Sequence, residues 1–392
     1  IGKELLNYRK VSDEAPWRLL DCERGVYGTE KSAHQSGVAV DKLINSSYRG
    51  FHPDIFLQDK YAQRLAEVCN VTGLDMMAFD GFGGGSPCGH GVYGAARFIT
   101  EWYKNLDRYR TISGAGTFHY YWHIYSYMNW GEPWYDALRE SQVNYRIENQ
   151  RYFDRNLMPH MLGWFSLHPH WRPEEVEWIQ SLSAGFDAGY LLRVDNSFEN
   201  NGFKDQIFES IRQWQRARRG DAFSEEQKIL LKDPKQEFHL EKTGEESWYL
   251  YPVSLKGGFK HEYIEVQPGQ PVESTFEVEN PYPDQPVKFY LSVPGKGDQN
   301  SAVSNIVLDF NNFQSLKIPG PVKGGQYVMC DGERIYLCDP TWNKLEKIDA
   351  DKLPSWEKGN NKVTVQSDFS GKKVSLEMEC KFVGEPMEAK AR

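Results

Sequence analysis

The spacing of apolar and polar positions changes character along this chain. Up to about residue 220, short apolar runs with strand-like alternation take turns with longer segments whose apolar residues recur at helical spacing. The runs 17–23 (WRLLDCE), 74–81 (LDMMAFDG), 109–116 (YRTISGAG), 160–167 (HMLGWFSL) and 187–194 (DAGYLLRV) read as strands. Helices are predicted over 53–73, where Gly73 supplies the stop, and over 95–106, 136–153, 172–185 and 203–220. Alternation of this kind predicts a parallel α/β architecture. Beyond about residue 245 the period shortens. Runs such as ESWYLYPV, HEYIEVQPG and QYVMCDGERIYLCD are rich in Val, Tyr and Phe and broken by Pro, Gly and Asp, the signature of an antiparallel sandwich. The polar stretch 221–245 reads as the linker between the two halves.

The strand at 74–81 ends on Asp80 and runs into the glycine-rich FGGGSPCGHG. A nucleotide loop and the mouth of a barrel enzyme both use that layout. GHGVYG (89–94) matches G-x-G-x-x-G, but it begins well beyond the strand end, and the next strand does not close on an acid that would hold a ribose. No GK[ST] follows, so a P-loop is ruled out. In a (β/α)8 barrel the catalytic groups sit at the C-terminal ends of strands, and alternate strand residues share a face. That rule groups Leu74, Met76, Ala78 and Asp80, and on the first strand Leu19, Asp21 and Glu23. Two carboxylates at one mouth are what glycosidic cleavage requires, one as acid and one as nucleophile or base.

The stretch 115–136 (AGTFHYYWHIYSYMNWGEPWYD) is the most aromatic of the chain and follows a strand end. Trp122 and Trp130 are candidate platforms for sugar rings, His119 a candidate partner for hydroxyls, and Glu132 a second candidate to pair with Asp80. HPHW at the end of the run 160–167 adds His168 and Trp171, with Trp164 on the strand itself; Asp21 joins this substrate-binding set. Each of these aromatics has an alternative reading as plain packing, and Glu132 as a solvated acid at a helix start. A rival grouping places His119, His123, His168 and His170 with Glu132 or Asp80 in a metal site, but HYYWH lacks the Glu of HExxH. No metal and no cofactor is expected.

Composition narrows the partners. A formal net charge of −9 argues against nucleic acid. Twelve Trp and 22 Tyr within 14% aromatics suit clefts that hold both the apolar face and the polar edge of a pyranose. No run reaches the roughly 18 apolar residues of a membrane span. The six cysteines include no CxxC pair, and buried free thiols are the expectation for Cys330 and Cys338.

The segment FHPDIFLQDKYAQRLAEVCNVTGLDMMAFDG resembles the helix–strand segment of barrel glycoside hydrolases of the α-galactosidase (melibiase)-like superfamily and their relatives in polysaccharide-degrading bacteria. The later MLGWFSLHPHWRPEEVEWIQSLSAGFDAGYLL is similar to the way such chains close their barrel. The resemblance spans roughly residues 50–195. It implies that Asp80 carries catalysis or grips substrate, that an oligo- or polysaccharide is the partner, and that the setting is extracytoplasmic. Counting back from DAGYLL leaves about three strands short at the N-terminal side, which implies an incomplete barrel or the C-terminal part of a longer protein. The architecture expected is thus a (β/α)8-type catalytic barrel over 1–220, a linker over 221–245 and a β-sandwich accessory domain over 246–392. The activity expected is glycoside hydrolysis. A non-catalytic carbohydrate binder on a decayed barrel, and a His-based metal hydrolase, stay open as alternatives.

Overall fold

The structure, a computed structural model of the 392-residue chain, describes residues 1–43, 53–79, 90–114, 123–128, 139, 143–267, 269–295, 300–350 and 352–392. The chain divides into two units, Ile1–Arg110 and Thr111–Arg392.

In the first unit β1 (Leu6–Asn7), β2 (Lys10–Val11), β3 (Leu19–Leu20) and β4 (Glu23–Arg24) pair antiparallel, β1 with β4 and β2 with β3. The strand expected over 17–23 is therefore broken. Asp21 turns the chain at φ 53, in the left-handed region that a continuous strand does not enter. The segment is pinned instead by the buried carboxylate of Glu4, which accepts from Arg24 Nε at 2.8 Å and from the Ser32 amide at 3.0 Å. α1 (Ile55–Thr72) opens on the Asp54 side chain, which accepts from the Leu57 amide at 2.8 Å, and stops at Gly73 in the left-handed conformation. β5 (Met76–Phe79) precedes α2 (Gly91–Lys104). Small residues on α1, Ala62 and Ala66, are fully buried, and the Asp59–Arg97 ion pair at 2.6 Å ties α1 to α2. Phe79 meets Phe98 and Trp102 of α2 edge-on, with ring centroids 5.5 and 5.4 Å apart. Leu74 and Met76, expected to point into a barrel, are 45% and 39% exposed.

In the second unit β6 (Thr111–Gly114) and β7 (Tyr125–Met128) pair in parallel, as do β8 (Met161–Leu167) and β9 (Gly189–Val194). α3 (Val143–Arg155) leads into β8, α4 (Pro173–Phe186) crosses from β8 to β9, and α5 (Lys204–Arg219) follows. Side chains of α3 fasten it to β8: Arg146 donates to the Trp164 carbonyl at 2.9 Å and Gln150 to that of Met161 at 2.8 Å. Among the described residues β8 and β9 form a two-stranded sheet of their own, and no ring of strands closes. The (β/α)8 expectation is overturned. A barrel needs every strand bonded on both sides, and the run 17–23, counted as one of those strands, is two antiparallel fragments.

The rest of the unit is rich in sheet. Residues 221–245, expected as a linker, carry α6 (Glu225–Leu231) and β10 (Glu237–Lys242). There follow β11 (Ser247–Glu262), β12 (Val272–Asn280), β13 (Gln285–Pro286), β14 (Phe289–Ser292) and β15 (Ala302–Phe310). β16 (Gln314–Ile318), β17 (Val322–Lys323), β18 (Tyr327–Cys330), β19 (Ile335–Cys338) and β20 (Lys344–Ile348) come next. The chain ends with β21 (Ser355–Trp356), β22 (Gly359–Phe369), β23 (Ser375–Val383) and β24 (Met387–Lys390). Among the described residues an eight-stranded sheet runs β10-β11-β23-β14-β18-β19-β20 with β24 on β11, and a five-stranded sheet runs β12-β22-β15-β16 with β17 on β15.

These two sheets face each other across one core. Phe289, Leu291, Val328 and Phe382 come from the larger sheet, and Ile306, Leu308, Phe310 and Val363 from the smaller. The alternation is the cause: each strand sends every second residue inward, as in β14, where Phe289 and Leu291 are fully buried while Tyr290 and Ser292 are half-buried on the other face. Cys330 and Cys338 are buried free thiols, opposite Ile335 and Tyr327 rather than each other.

One polar side chain spans the two sheets. His261 of β11 is 2% exposed, with Nδ1 2.7 Å from the Ser274 hydroxyl on β12 and Nε2 3.0 Å from that of Ser367 on β22. Burial pushes its pKa down from the ordinary 6.5 to about 4. A histidine held neutral in this way contributes stability above pH 6.5 that is lost as pH falls through about 4. Unfolding measured between pH 7 and 4 should show that loss in the wild type. In His261→Asn the protein should be less stable at pH 7, and the fall between pH 6.5 and about 4 correspondingly smaller.

Candidate functional site

The densest polar chemistry in the second unit lies where the first two turns of α4 meet the outer face of the eight-stranded sheet. Pro173 opens the helix with a pre-set φ, and the Glu175 carboxylate accepts from the Arg172 amide at 2.7 Å. Acids in a first turn normally face water. Glu174 does not: its side chain is only 5% exposed, and Oε1 accepts from the Tyr290 hydroxyl at 2.9 Å and from Lys381 Nζ. Arg172 completes the cluster. It donates to Glu379 Oε1 at 2.6 Å and to Glu175 Oε1 at 3.1 Å, and its guanidinium lies 4.3 Å from the centroid of the Tyr290 ring. Burial by itself would raise the Glu174 pKa, but Lys381 and Arg172 outweigh it and hold the carboxyl well below the ordinary 4.5.

One turn further along, Glu177 is buried too. It accepts from Trp214 Nε1 at 3.2 Å, from the Leu240 amide at 3.2 Å and from His239 Nδ1 at 3.0 Å. The carboxylate raises the His239 pKa above the ordinary 6.5. Bonding at Nδ1 fixes the ring and leaves Nε2 for another partner, the geometry of a general acid or base. Glu174, Glu177 and His239 all line a cavity of about 550 Å³, closed on the sheet side by Tyr251, Lys288, Tyr290 and Lys381. Beside it lies a recess of about 270 Å³ walled by His170, Arg172, Tyr327, Trp342 and Glu377, in which Tyr327 stacks on Trp342 at 4.0 Å. Close backbone approach seals this edge. The Gly202 amide donates to the Thr341 carbonyl at 2.8 Å, and a Cβ on Gly202 would collide with the Trp342 carbonyl oxygen.

The residues singled out in the sequence fall out unevenly. Glu23 sits on the two-residue β4, exposed and paired with Asn7, and Asp21 in the preceding turn; neither lies on a parallel strand. His168 follows β8 directly, its ring stacked on His170 at 5.3 Å. Trp171 is not a platform: it is 7% exposed and packs in the core with Leu162, Phe165 and Val176. Trp164 is half-buried on β8. Asp80, His119, Trp122, Trp130 and Glu132 lie outside the described residues. Among the described residues no group of three or more His, Cys, Asp or Glu is arranged to hold a metal. Missed altogether were Glu174, Glu177, His239 and Lys381. The signal for His239 was in β10, where Phe238 and Leu240 go to the core and place His239 and Glu241 on the opposite face; its partner on α4, Glu177, is 62 residues away.

No family model matches the chain, and no curated protein matches it. Among solved structures, an isomalto-dextranase of Arthrobacter globiformis T6 complexed with panose aligns over 82% of this chain and 72% of that one, at 8% identity and a TM-score of 0.29. A likeness that distant carries no argument about fold or activity.

The cluster makes a stability prediction. Removing one partner of a buried ion pair leaves the other uncompensated, at a cost of about 3–5 kcal/mol. Lys381→Met should cost that much in denaturant unfolding, and adding Glu174→Gln should cost far less than the sum of the two single changes. Because the Glu174 pKa is lowered by folding, its contribution is present above pH 4.5 and is lost as pH falls below that value.

Proposed function

We propose that the chain acts on carbohydrate by cleaving a glycosidic bond in an oligo- or polysaccharide, with Asp80 as a catalytic carboxylate. The observation that carries this reading is the setting of β5. Phe79 anchors the strand on Phe98 and Trp102 of α2, and the next residue in the sequence is the acid Asp80. A strand fixed by one face is a rigid base for a catalytic group. The glycine-rich sequence that follows carries little side chain to obstruct a sugar ring. Glu23 lies on the two-residue β4, which pairs antiparallel with β1, and the argument that set it beside Asp80 on parallel strands does not hold. Glu132, within the most aromatic stretch of the chain, is a separate candidate. His168 and His170 at the end of β8 are suited to hydroxyls. An extracytoplasmic setting goes with this reading.

Sugar binding without cleavage is the second reading. It is favoured by the absence of a closed ring of strands among the described residues and by the loss of Glu23.

A hydrolysis screen over a panel of oligo- and polysaccharides separates the two. Cleavage by the wild type should fall by about 10²–10⁴-fold in Asp80→Asn and in Glu132→Gln, with the melting temperature unchanged. Full activity in Asp80→Asn would remove Asp80 from the mechanism. Sugar bound by the wild type without turnover selects the binding reading.

A further inference from the structure

We propose that the cavity between α4 and the outer face of the eight-stranded sheet binds a small hydroxylated carboxylate, an acidic sugar of the hexuronate class. Its volume of about 550 Å³ suits a ligand of that size. The argument starts from two lysines. β14 and β23 pair antiparallel, and the Lys381 amide donates to the Lys288 carbonyl at 2.9 Å, so the two side chains stand side by side on the outer face. Like charges in that relation are destabilising. Lys381 is neutralised by Glu174. Among the described residues Lys288 makes no ion pair within 4 Å, and Asp331 at the rim has its Oδ1 committed to the amides of Glu333 and Arg334 at 2.9 and 2.8 Å. Burial, and then Lys381, push the Lys288 pKa down, and Asp331 and Glu333 offset this only in part. A ligand carboxylate supplies a counter-charge.

The opposite wall is suited to the rest of a sugar. Glu177 holds His239 by Nδ1 and leaves Nε2 for a ligand hydroxyl. Glu241 lies on the same strand face and offers a carboxylate acceptor. Tyr251 stacks with His239 at 6.1 Å and brings an aromatic ring to the lining, a surface for pyranose C–H groups. Charge balance sets the ligand's valence. A phosphate dianion would meet Glu174, Glu177, Glu241 and Asp331 in the same cavity, whereas a neutral sugar would leave Lys288 without a partner. A monoanion bearing hydroxyls satisfies both walls. The proposal does not depend on Asp80, which belongs to the other unit.

Isothermal titration of the full chain with glucuronate, with glucose and inorganic phosphate as comparators, tests it. Glucuronate should bind, glucose and phosphate should bind at least about tenfold more weakly, and Lys288→Met should weaken glucuronate by about tenfold or more. Lys288→Arg should keep most of the affinity, and Asp80→Asn all of it. Lys288 is half-buried, stands beside the like charge of Lys381 and makes no ion pair among the described residues, so losing its charge should not lower the melting temperature. Glu241→Gln, at an exposed position, should weaken glucuronate without changing the melting temperature. Absence of glucuronate binding at millimolar concentration, equal affinity in Lys288→Met, or phosphate binding as tightly as glucuronate would each overturn the proposal.

Discussion

The second unit depends on how it accommodates the carboxylate of Glu174. A charge taken out of water costs several kcal/mol unless paired and hydrogen-bonded, and this one sits at the first turn of the helix that crosses between β8 and β9. Its partners come from elsewhere: Lys381 from β23, Tyr290 from β14, and Arg172 from the residue that precedes the helix. Arg172 in turn reaches Glu379, beside Lys381 on the same strand. The position of α4 over the sheet is therefore set by directional contacts more than by area. Apolar packing by itself would let the helix slide, since oil-like surfaces tolerate many registers; an ion pair to one lysine does not. Trp178 Nε1 donating to the Pro234 carbonyl at 2.9 Å and Trp342 Nε1 donating to that of His170 at 2.7 Å fix the two flanks in the same way.

Charge on the outer sheet face also explains why a cavity persists there. The inner face of the sheet is filled by Phe, Leu, Val and Ile from two layers, which interdigitate to a density that leaves no room. The outer face presents His239, Lys288 and Lys381 to a helix that answers with Glu174 and Glu177. Long charged side chains need hydrogen-bond partners at set distances and cannot be compressed into the gaps between them. The space left over is a consequence of building this contact from ions, and any ligand that enters meets groups already oriented by the fold.

Local pattern made much of the fold legible. The helices expected at 53–73, 172–185 and 203–220 are Ile55–Thr72, Pro173–Phe186 and Lys204–Arg219, and the strand expected at 160–167 is Met161–Leu167. Each has its own stop signal or apolar stripe in the sequence. The strand expected at 17–23 failed because alternation there was judged without the turn: Asp21 adopts a positive φ, which Asp tolerates better than most residues, and Glu4 draws Arg24 back toward the start of the chain. Closure of a barrel was not legible, since it depends on pairing between strands far apart in sequence. Nor was the burial of Glu174 and Glu177. In RPEEVEWIQ they read as the acids any helix start favours, and only a lysine some 200 residues later makes Glu174 an interior residue.

Residues that break a local rule without a local remedy gather on one surface of the second unit. Glu174 is an acid turned inward where acids turn out. Lys288 and Lys381 stand together where like charges keep apart. Gly202 occupies a spot that admits no Cβ because another backbone passes against it. In β14, by contrast, alternation and burial agree: Phe289 and Leu291 point inward, and Tyr290 and Ser292 are half-buried on the other face. A chain whose local choices mostly concur can carry a few that conflict, and the conflicts mark where something besides stability constrained the sequence. Here they converge on the face where α4 meets the sheet. That concentration, more than the size of the cavity, is the reason to look for a ligand at that face.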